Sequence, residues 1–186
     1  MSSASEKEKM LAGELYRATD SELVADHLRA QDLLQRFNAT RADQVDQRLE
    51  LLTQLCGAFG SGSVLKPAFR CDYGFNIRIG RNVFVNYDCV FLDCNRITIG
   101  DDVQIGPAVQ IYTAQHPTDP ATRRSGLEYA LPVTVGDNVW IGGGTILCPG
   151  VAIGENTVVG AGSVVTRDLP PGVVAVGNPC RIMGRC

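Results

Sequence analysis

His116 stands in Thr113-Ala-Gln-His-Pro, at the root of a proline-rich stretch, and is the one histidine outside the helical amino-terminal segment. An imidazole with an ordinary pKa of about 6.5 exchanges a proton at neutral pH, as a general base must when it activates a weak nucleophile such as an alcohol hydroxyl. A lone histidine is often structural; its place at a loop root is what favours chemistry here. Carboxylates and amides that could line the same cleft are Asp72, Asn86, Asp88 and Asp93. Each has a bland alternative, because Asp and Asn also form tight corners. Asp72 and Asp93 fall outside the polar turn slots of the repeat described next, which makes them the better candidates. There is no G-x-S-x-G elbow, no Walker loop and no Cys or His cluster with zinc spacing.

The elements that must position these groups announce themselves by a period of six. From Val135 the chain reads Val135-Gly-Asp-Asn-Val-Trp, Ile141-Gly-Gly-Gly-Thr-Ile, Leu147-Cys-Pro-Gly-Val-Ala, Ile153-Gly-Glu-Asn-Thr-Val, Val159-Gly-Ala-Gly-Ser-Val, Val165-Thr-Arg-Asp-Leu-Pro. Every block opens on an aliphatic residue. The period fits neither a helix nor a hairpin array, and predicts a parallel β-helix with one short strand and one corner per block, three blocks to a coil. Val135 should then lie over Ile153, Ile141 over Val159 and Leu147 over Val165, at a strand spacing of about 4.8 Å. The Gly, Asn and Asp that follow each aliphatic tolerate the positive φ of a sharp corner. The same register runs earlier, from Ile77 through Ile79, Val85 and Phe91. It slips by two residues at Asn95-Arg-Ile-Thr, a bulge at a corner, and restarts at Ile99. Residues 117–132 interrupt it as a long loop, which in a regular solenoid is usually functional. Apolar positions on the outer faces, Val133, Trp140 and Ile146, ask to be covered by a neighbouring copy.

Residues 1–59 are a different material, rich in Leu, Glu, Gln, Asp and Arg, and read as a small helical cap on the β-helix domain of residues 60–186. Ser5-x-x-Glu8 and Thr19-x-x-Glu22 are capping-box patterns, and Leu23, Ala30, Leu34 and Phe37 recur at helical spacing. Val45, Leu49, Leu52, Cys56 and Phe59 step by three or four and predict a third helix, stopped by Gly57 and Gly60-Ser-Gly62. His27 inside the second helix reads as a surface histidine. A formal net charge of −3 leaves no basic footprint for nucleic acid. With no apolar segment behind the first nine residues and no run of about 18 apolar residues, neither a signal peptide nor a membrane span is expected, and a cytoplasmic protein is. Seven cysteines without C-x-x-C spacing read as reduced thiols.

The repeat and the loop after His116 resemble the bacterial hexapeptide acyltransferases, in the branch of the maltose, galactoside and nodulation acetyltransferases. Four separated motifs carry the resemblance: Lys9-Met-Leu-Ala-Gly-Glu-Leu-Tyr, Phe69-Arg-Cys-Asp-Tyr-Gly-Phe-Asn, Asn138-Val-Trp-Ile-Gly-Gly and Gly177-Asn-Pro-Cys-Arg. It implies a mainly β fold, a left-handed parallel β-helix, assembled as a homotrimer with active sites between subunits. It implies acetyl-coenzyme A as co-substrate, no metal, and a sugar acceptor such as maltose or glucose. His116 becomes the general base, and Asp72, Asn86 and Asp93 hold the sugar. The backbone at Gly143 and Ala161 lies along coenzyme A, with Thr166, Arg167 and Arg181 nearer its nucleotide. Two positions depart from the family pattern. Gly143 stands where relatives can carry Ser, so only its backbone N–H is available to the thioester oxygen. Gly184 stands where a relative has Arg, with Arg185 beside it. Asp20 continues the cap motif near the family's sugar-binding acid.

The alternatives are a zinc carbonic anhydrase, which needs three histidines per metal where this chain has two in all, and a non-catalytic β-helical scaffold, which would tolerate loss of His116. With no Cys or Ser in a nucleophile motif, transfer is expected to be direct, the hydroxyl attacking within a ternary complex. Glu128, or a backbone carbonyl, would fix the imidazole tautomer.

Overall fold

Three ladders of short parallel strands wrap one apolar core in the computed structural model, which describes residues 4–186. Residues 1–3, part of the stretch read for a targeting signal, lie outside the described residues. The first face stacks Ala58–Phe59, Ile77–Ile79, Ile97–Ile99, Val133–Val135 and Ala152–Ile153. The second runs from Val64–Leu65 to Val173–Val176 and is closed by the antiparallel strand Arg181–Arg185; the third runs from Phe69–Cys71 to Val164–Val165. The expected register holds: Val135 pairs with Ile153, Ile141 with Val159 and Leu147 with Val165. The aliphatic opening each of the six blocks is buried. At about 1.5–3 kcal/mol per buried aliphatic side chain, this stack outweighs a corner hydrogen bond worth about 1 kcal/mol.

The corners correct one reading. Positive φ falls on the fourth residue of a block, at Asn138 (53°), Gly144 (68°), Gly150 (83°), Asn156 (58°) and Gly162 (70°). The second-place glycines answer to sterics: a Cβ on Gly142 would sit 2.5 Å from the backbone nitrogen of Ala161 in the next coil, and one on Gly136 2.7 Å from that of Glu155. They let coils approach, while the fourth residue turns the chain. Asn138 then donates to Asn156 Oδ1 at 2.8 Å one coil above.

The slip at Asn95 is a widened corner between the third and first faces. Coils there advance by 20 residues, as Ile79 pairs with Ile99, against 18 later, as Val135 pairs with Ile153. The same widening occurs one coil earlier at residues 72–76. The long loop leaves the coil at this edge too, between Gln110–Tyr112 and Val133–Val135. The irregular positions of the repeat are therefore stacked on one edge.

The coil begins at Ala58–Phe59, which pairs with Ile77–Ile79, so Phe59 belongs to a strand and not to the third helix. Helix α1 (Glu6–Ala12) carries the expected capping box from Ser5 and Glu8. Helix α2 (Ser21–Asn38) is capped by Asp20, whose side chain accepts from Glu22 N; Thr19 is not the cap. Its Leu23, Ala30, Leu34 and Phe37 are buried as their spacing predicts. Helix α3 (Val45–Leu55) buries Leu51, Leu52 and Leu55, leaving Val45 and Leu49 exposed, a face rotated from the expected one. The cap protects the open end of the coil: the Asn38 amide both donates to Phe69 O and accepts from Phe69 N, at 2.9 Å each, as a neighbouring strand would. Val133 points into the core with 0% exposure, so it offers nothing to a neighbour; Trp140, 58% exposed, does.

Candidate active site

The two widened corners build the floor of a pocket. Asp93 is 0% exposed. Its carboxylate accepts from the backbone N–H groups of Tyr73 (2.8 Å), Asp72 (3.0 Å) and Asn76 (3.3 Å), and the Asn76 amide donates to its carbonyl at 2.7 Å. Burial pushes this carboxyl up to about 7, against the pull of the Tyr73 N–H. The family resemblance made Asp93 a sugar ligand; its carboxylate is instead turned inward, shaping the corner that carries Asp72. The side chain facing the pocket at this corner is its neighbour Cys94, whose thiol donates to Asp72 Oδ2 at 3.4 Å. Burial raises Asp72 above the ordinary carboxylate range, opposed by the Cys94 bond and by His27.

The pocket, of about 250 Å³, is lined on one side by Asp72, Tyr73, Cys94 and Glu128 and on the other by Ala18, Leu23, Val24, His27 and Leu28 of the cap. His27 is thus not an idle surface residue: its Nδ1 lies 3.0 Å from Asp72 O. Asp20 is occupied as the α2 cap.

The loop brings Glu128 into this pocket and the imidazole of His116 beside Glu128. Its base is a short antiparallel pair, Ala114–Gln115 with Tyr129–Ala130, and its tip is helix α4 (Pro120–Arg124), capped by Asp119. Asn95 ties the base down, donating to Ala130 O at 2.9 Å and Met10 O at 3.2 Å. His116 Nδ1 lies 3.8 Å from Glu128 Oε2, an ion-pair distance just beyond hydrogen-bond reach; the His116 side chain is 66% exposed and that of Glu128 18%. Glu128 Oε1 accepts from the hydroxyl of Tyr16, a buried cap residue, at 2.5 Å.

The remaining predicted residues separate onto different edges. Asn86, Gly143 and Ala161 follow second-face strands and sit on the edge between the second and third faces. Asn86 Oδ1 accepts from Tyr87 N there. His116, Asp72 and Glu128 occupy the edge between the third and first faces, as do the exposed Thr166 and Arg167 two coils above the loop. Arg181 opens the closing strand. Within one chain, Asn86 and Gly143 do not join His116. Sequence reasoning missed Tyr16, His27 and Cys94; the available signal was for His27 alone, which shares the helical spacing of the buried Leu23, Ala30 and Leu34 on α2.

The corner at Gly142-Gly143-Gly144 and that at Gly160-Ala161-Gly162 fit an extended ligand arm, because a Cβ built at Gly144 or Gly162 meets nothing within 4 Å and the backbone is left open. A repeat-built β-helix with a histidine at the root of a capped loop is the form of a hexapeptide-repeat transferase. Residues 9–60 match the maltose acetyltransferase hexapeptide capping motif, and residues 132–167 the bacterial transferase hexapeptide as six repeats. Nodulation protein L of Rhizobium meliloti strain 1021 is 54% identical over 179 residues, 96% of this chain and 98% of that one. A maltose O-acetyltransferase structure from Clostridium difficile 630 is 52% identical, with a TM-score of 0.97 over 99% of this chain and 98% of its own. A galactoside acetyltransferase in complex with coenzyme A is 38% identical, with a TM-score of 0.95 over 98% of this chain and 92% of its own. The chain belongs to the maltose and galactoside O-acetyltransferase family.

Proposed function

We propose that this protein moves an acetyl group from acetyl-coenzyme A to a hydroxyl of a sugar, with His116 as general base. The observation that carries the reading is His116 beside Glu128, which itself lines the pocket holding Asp72. Acetyl-coenzyme A supplies an acyl group activated as a thioester. A carboxylate facing Nδ1 favours the tautomer with its proton there, which leaves Nε2 to take the proton of the acceptor hydroxyl as its oxygen attacks. The protonated imidazole returns that proton to the departing thiolate. A backbone N–H, that of Gly143, meets the charge developing on the thioester oxygen. Asp72 holds an acceptor hydroxyl, and Asp93 acts through it. Thr166, Arg167 and Arg181 bind toward the nucleotide end of the co-substrate.

Because Asn86, Gly143 and Ala161 lie on a different edge of the coil from His116, a complete site takes one edge from each of two chains, and the homotrimer of the family reading satisfies this. The acceptor is a sugar whose identity a panel would assign: maltose, glucose, a galactoside and a lipo-oligosaccharide, each with acetyl-coenzyme A and a free-thiol readout. His116→Ala should lower kcat on the acetylated sugar by roughly 10²–10⁴ with coenzyme A affinity nearly intact. A variant within about threefold of the parent, under ~1 kcal/mol, points to the scaffold reading instead.

A further inference from the structure

We propose that Tyr16, a residue of the helical cap, is the positioning residue for the carboxylate that faces His116. The inference rests on His116 being the base and adds the group that acts on it from outside the β-helix. Tyr16 and Glu128 are 112 residues apart and touch in two ways. Their backbones exchange hydrogen bonds, Tyr16 N to Glu128 O at 2.9 Å and Glu128 N to Tyr16 O at 3.1 Å. The Tyr16 hydroxyl then donates to Glu128 Oε1, leaving Oε2 directed at His116 Nδ1. Arg17 reinforces the clamp, donating to Ser125 O at 2.9 Å.

A glutamate has three rotatable bonds, and a loop glutamate opposite Asp72 would be driven outward by like charge and by its own entropy. Tethering one oxygen to a buried donor fixes the other. Tyr16 suits this task because it is 0% exposed and packed with Met10, Leu23, Tyr73, Cys94 and Ala130, so its ring cannot follow the loop if the loop moves. Burial, with Cys94 and Glu128 nearby, raises its phenol well above the ordinary range, so it remains a donor throughout the working pH. The titratable groups around Glu128 are Tyr16 and His27 from the cap, Asp72, Tyr73 and Cys94 from the corners, and His116 from the loop. Among the described residues only the Tyr16 hydroxyl donates to the Glu128 carboxylate.

The test is Tyr16→Phe in the full-length protein, assayed with acetyl-coenzyme A and a sugar that the parent acetylates, beside Glu128→Gln, the double variant and His116→Ala. Tyr16→Phe should lower kcat about tenfold, as befits a lost hydrogen bond to a charged group, and leave the acetyl-coenzyme A KM within about twofold. Glu128→Gln should lower kcat with the same small effect on that KM, and Tyr16→Phe added to it should cost nothing further. An unchanged kcat in Tyr16→Phe with His116→Ala inactive overturns the role of Tyr16 alone. Losses that multiply in the double variant overturn it likewise, marking Tyr16 as structural. An active His116→Ala overturns the base and this inference together. If Tyr16→Phe does not fold, Glu128→Gln, which keeps an acceptor for the Tyr16 hydroxyl, decides: an unchanged kcat there overturns the relay.

Discussion

Asp93 accepts the backbone N–H of Tyr73 at 2.8 Å across one coil of the β-helix, so a fully buried carboxylate sets the corner on which the pocket floor rests. Burial raises this group from 3.8 to about 7. The folded chain thus holds the proton more tightly than the unfolded one. Its stability contribution is full below about pH 3.8 and is lost as pH rises through about 7. Asp93→Asn cannot ionise, and its amide oxygen can keep the bonds from Asp72 and Tyr73 while the 3.3 Å bond from Asn76 is lost. The variant should be less stable than the parent at pH 6, and the gap should narrow on the order of 1 kcal/mol by pH 8. Chemical denaturation at the two pH values checks this; a constant gap would mean that the carboxylate is already ionised at pH 6.

Asp72 faces the pocket and its carboxylate is engaged only by the Cys94 thiol among the described side chains. Asp72→Asn should raise the acceptor KM roughly tenfold by weakening a charge-assisted hydrogen bond, with the acetyl-coenzyme A KM within about twofold. Initial-rate kinetics with each substrate varied would separate the two; an equal rise in both contradicts an acceptor role.

The two kinds of corner glycine should respond differently to a methyl group. Gly142→Ala places a Cβ 2.5 Å from the nitrogen and 2.8 Å from the Cα of Ala161, backbone atoms that cannot yield without separating the coils. A loss of about 2–4 kcal/mol is expected. Gly144→Ala meets open space and carries only the conformational cost of φ +68°, about 1 kcal/mol. Urea unfolding of both variants tests the order, and a larger loss at Gly144 would reverse the account.

Trp140, 58% exposed, and the exposed Val64 lie on the outer second face, an apolar surface suited to burial against another copy. Sedimentation equilibrium should return three times the 20.0 kDa chain mass. A stable monomer at micromolar concentration, still fully active, would remove the argument that two chains complete each site.

Read from its residues alone, the chain declares its β-helix, because six-residue spacing of aliphatics has one way to bury them all, and Val135 falls on Ile153 as the period demands. The in-and-out order of α2 was equally legible, from Leu23 to Phe37. In α3 it was not, because Val45 and Leu49 keep the helical spacing while the coil receives Leu51 and Leu55. The candidate site lies where the period fails. At Asp93-Cys94 two extra residues break the pleat, so which side chain turns inward is decided by the N–H groups of the coil beneath, and Asp93 takes them while Cys94 faces the pocket. His116 could be singled out by its place at the loop root. Its partnership with Glu128, and that of Glu128 with Tyr16, required the loop to fold back onto the cap. Contacts across 112 residues leave no periodic trace, because the geometry that creates them belongs to the packing of three separate elements and not to any one of them.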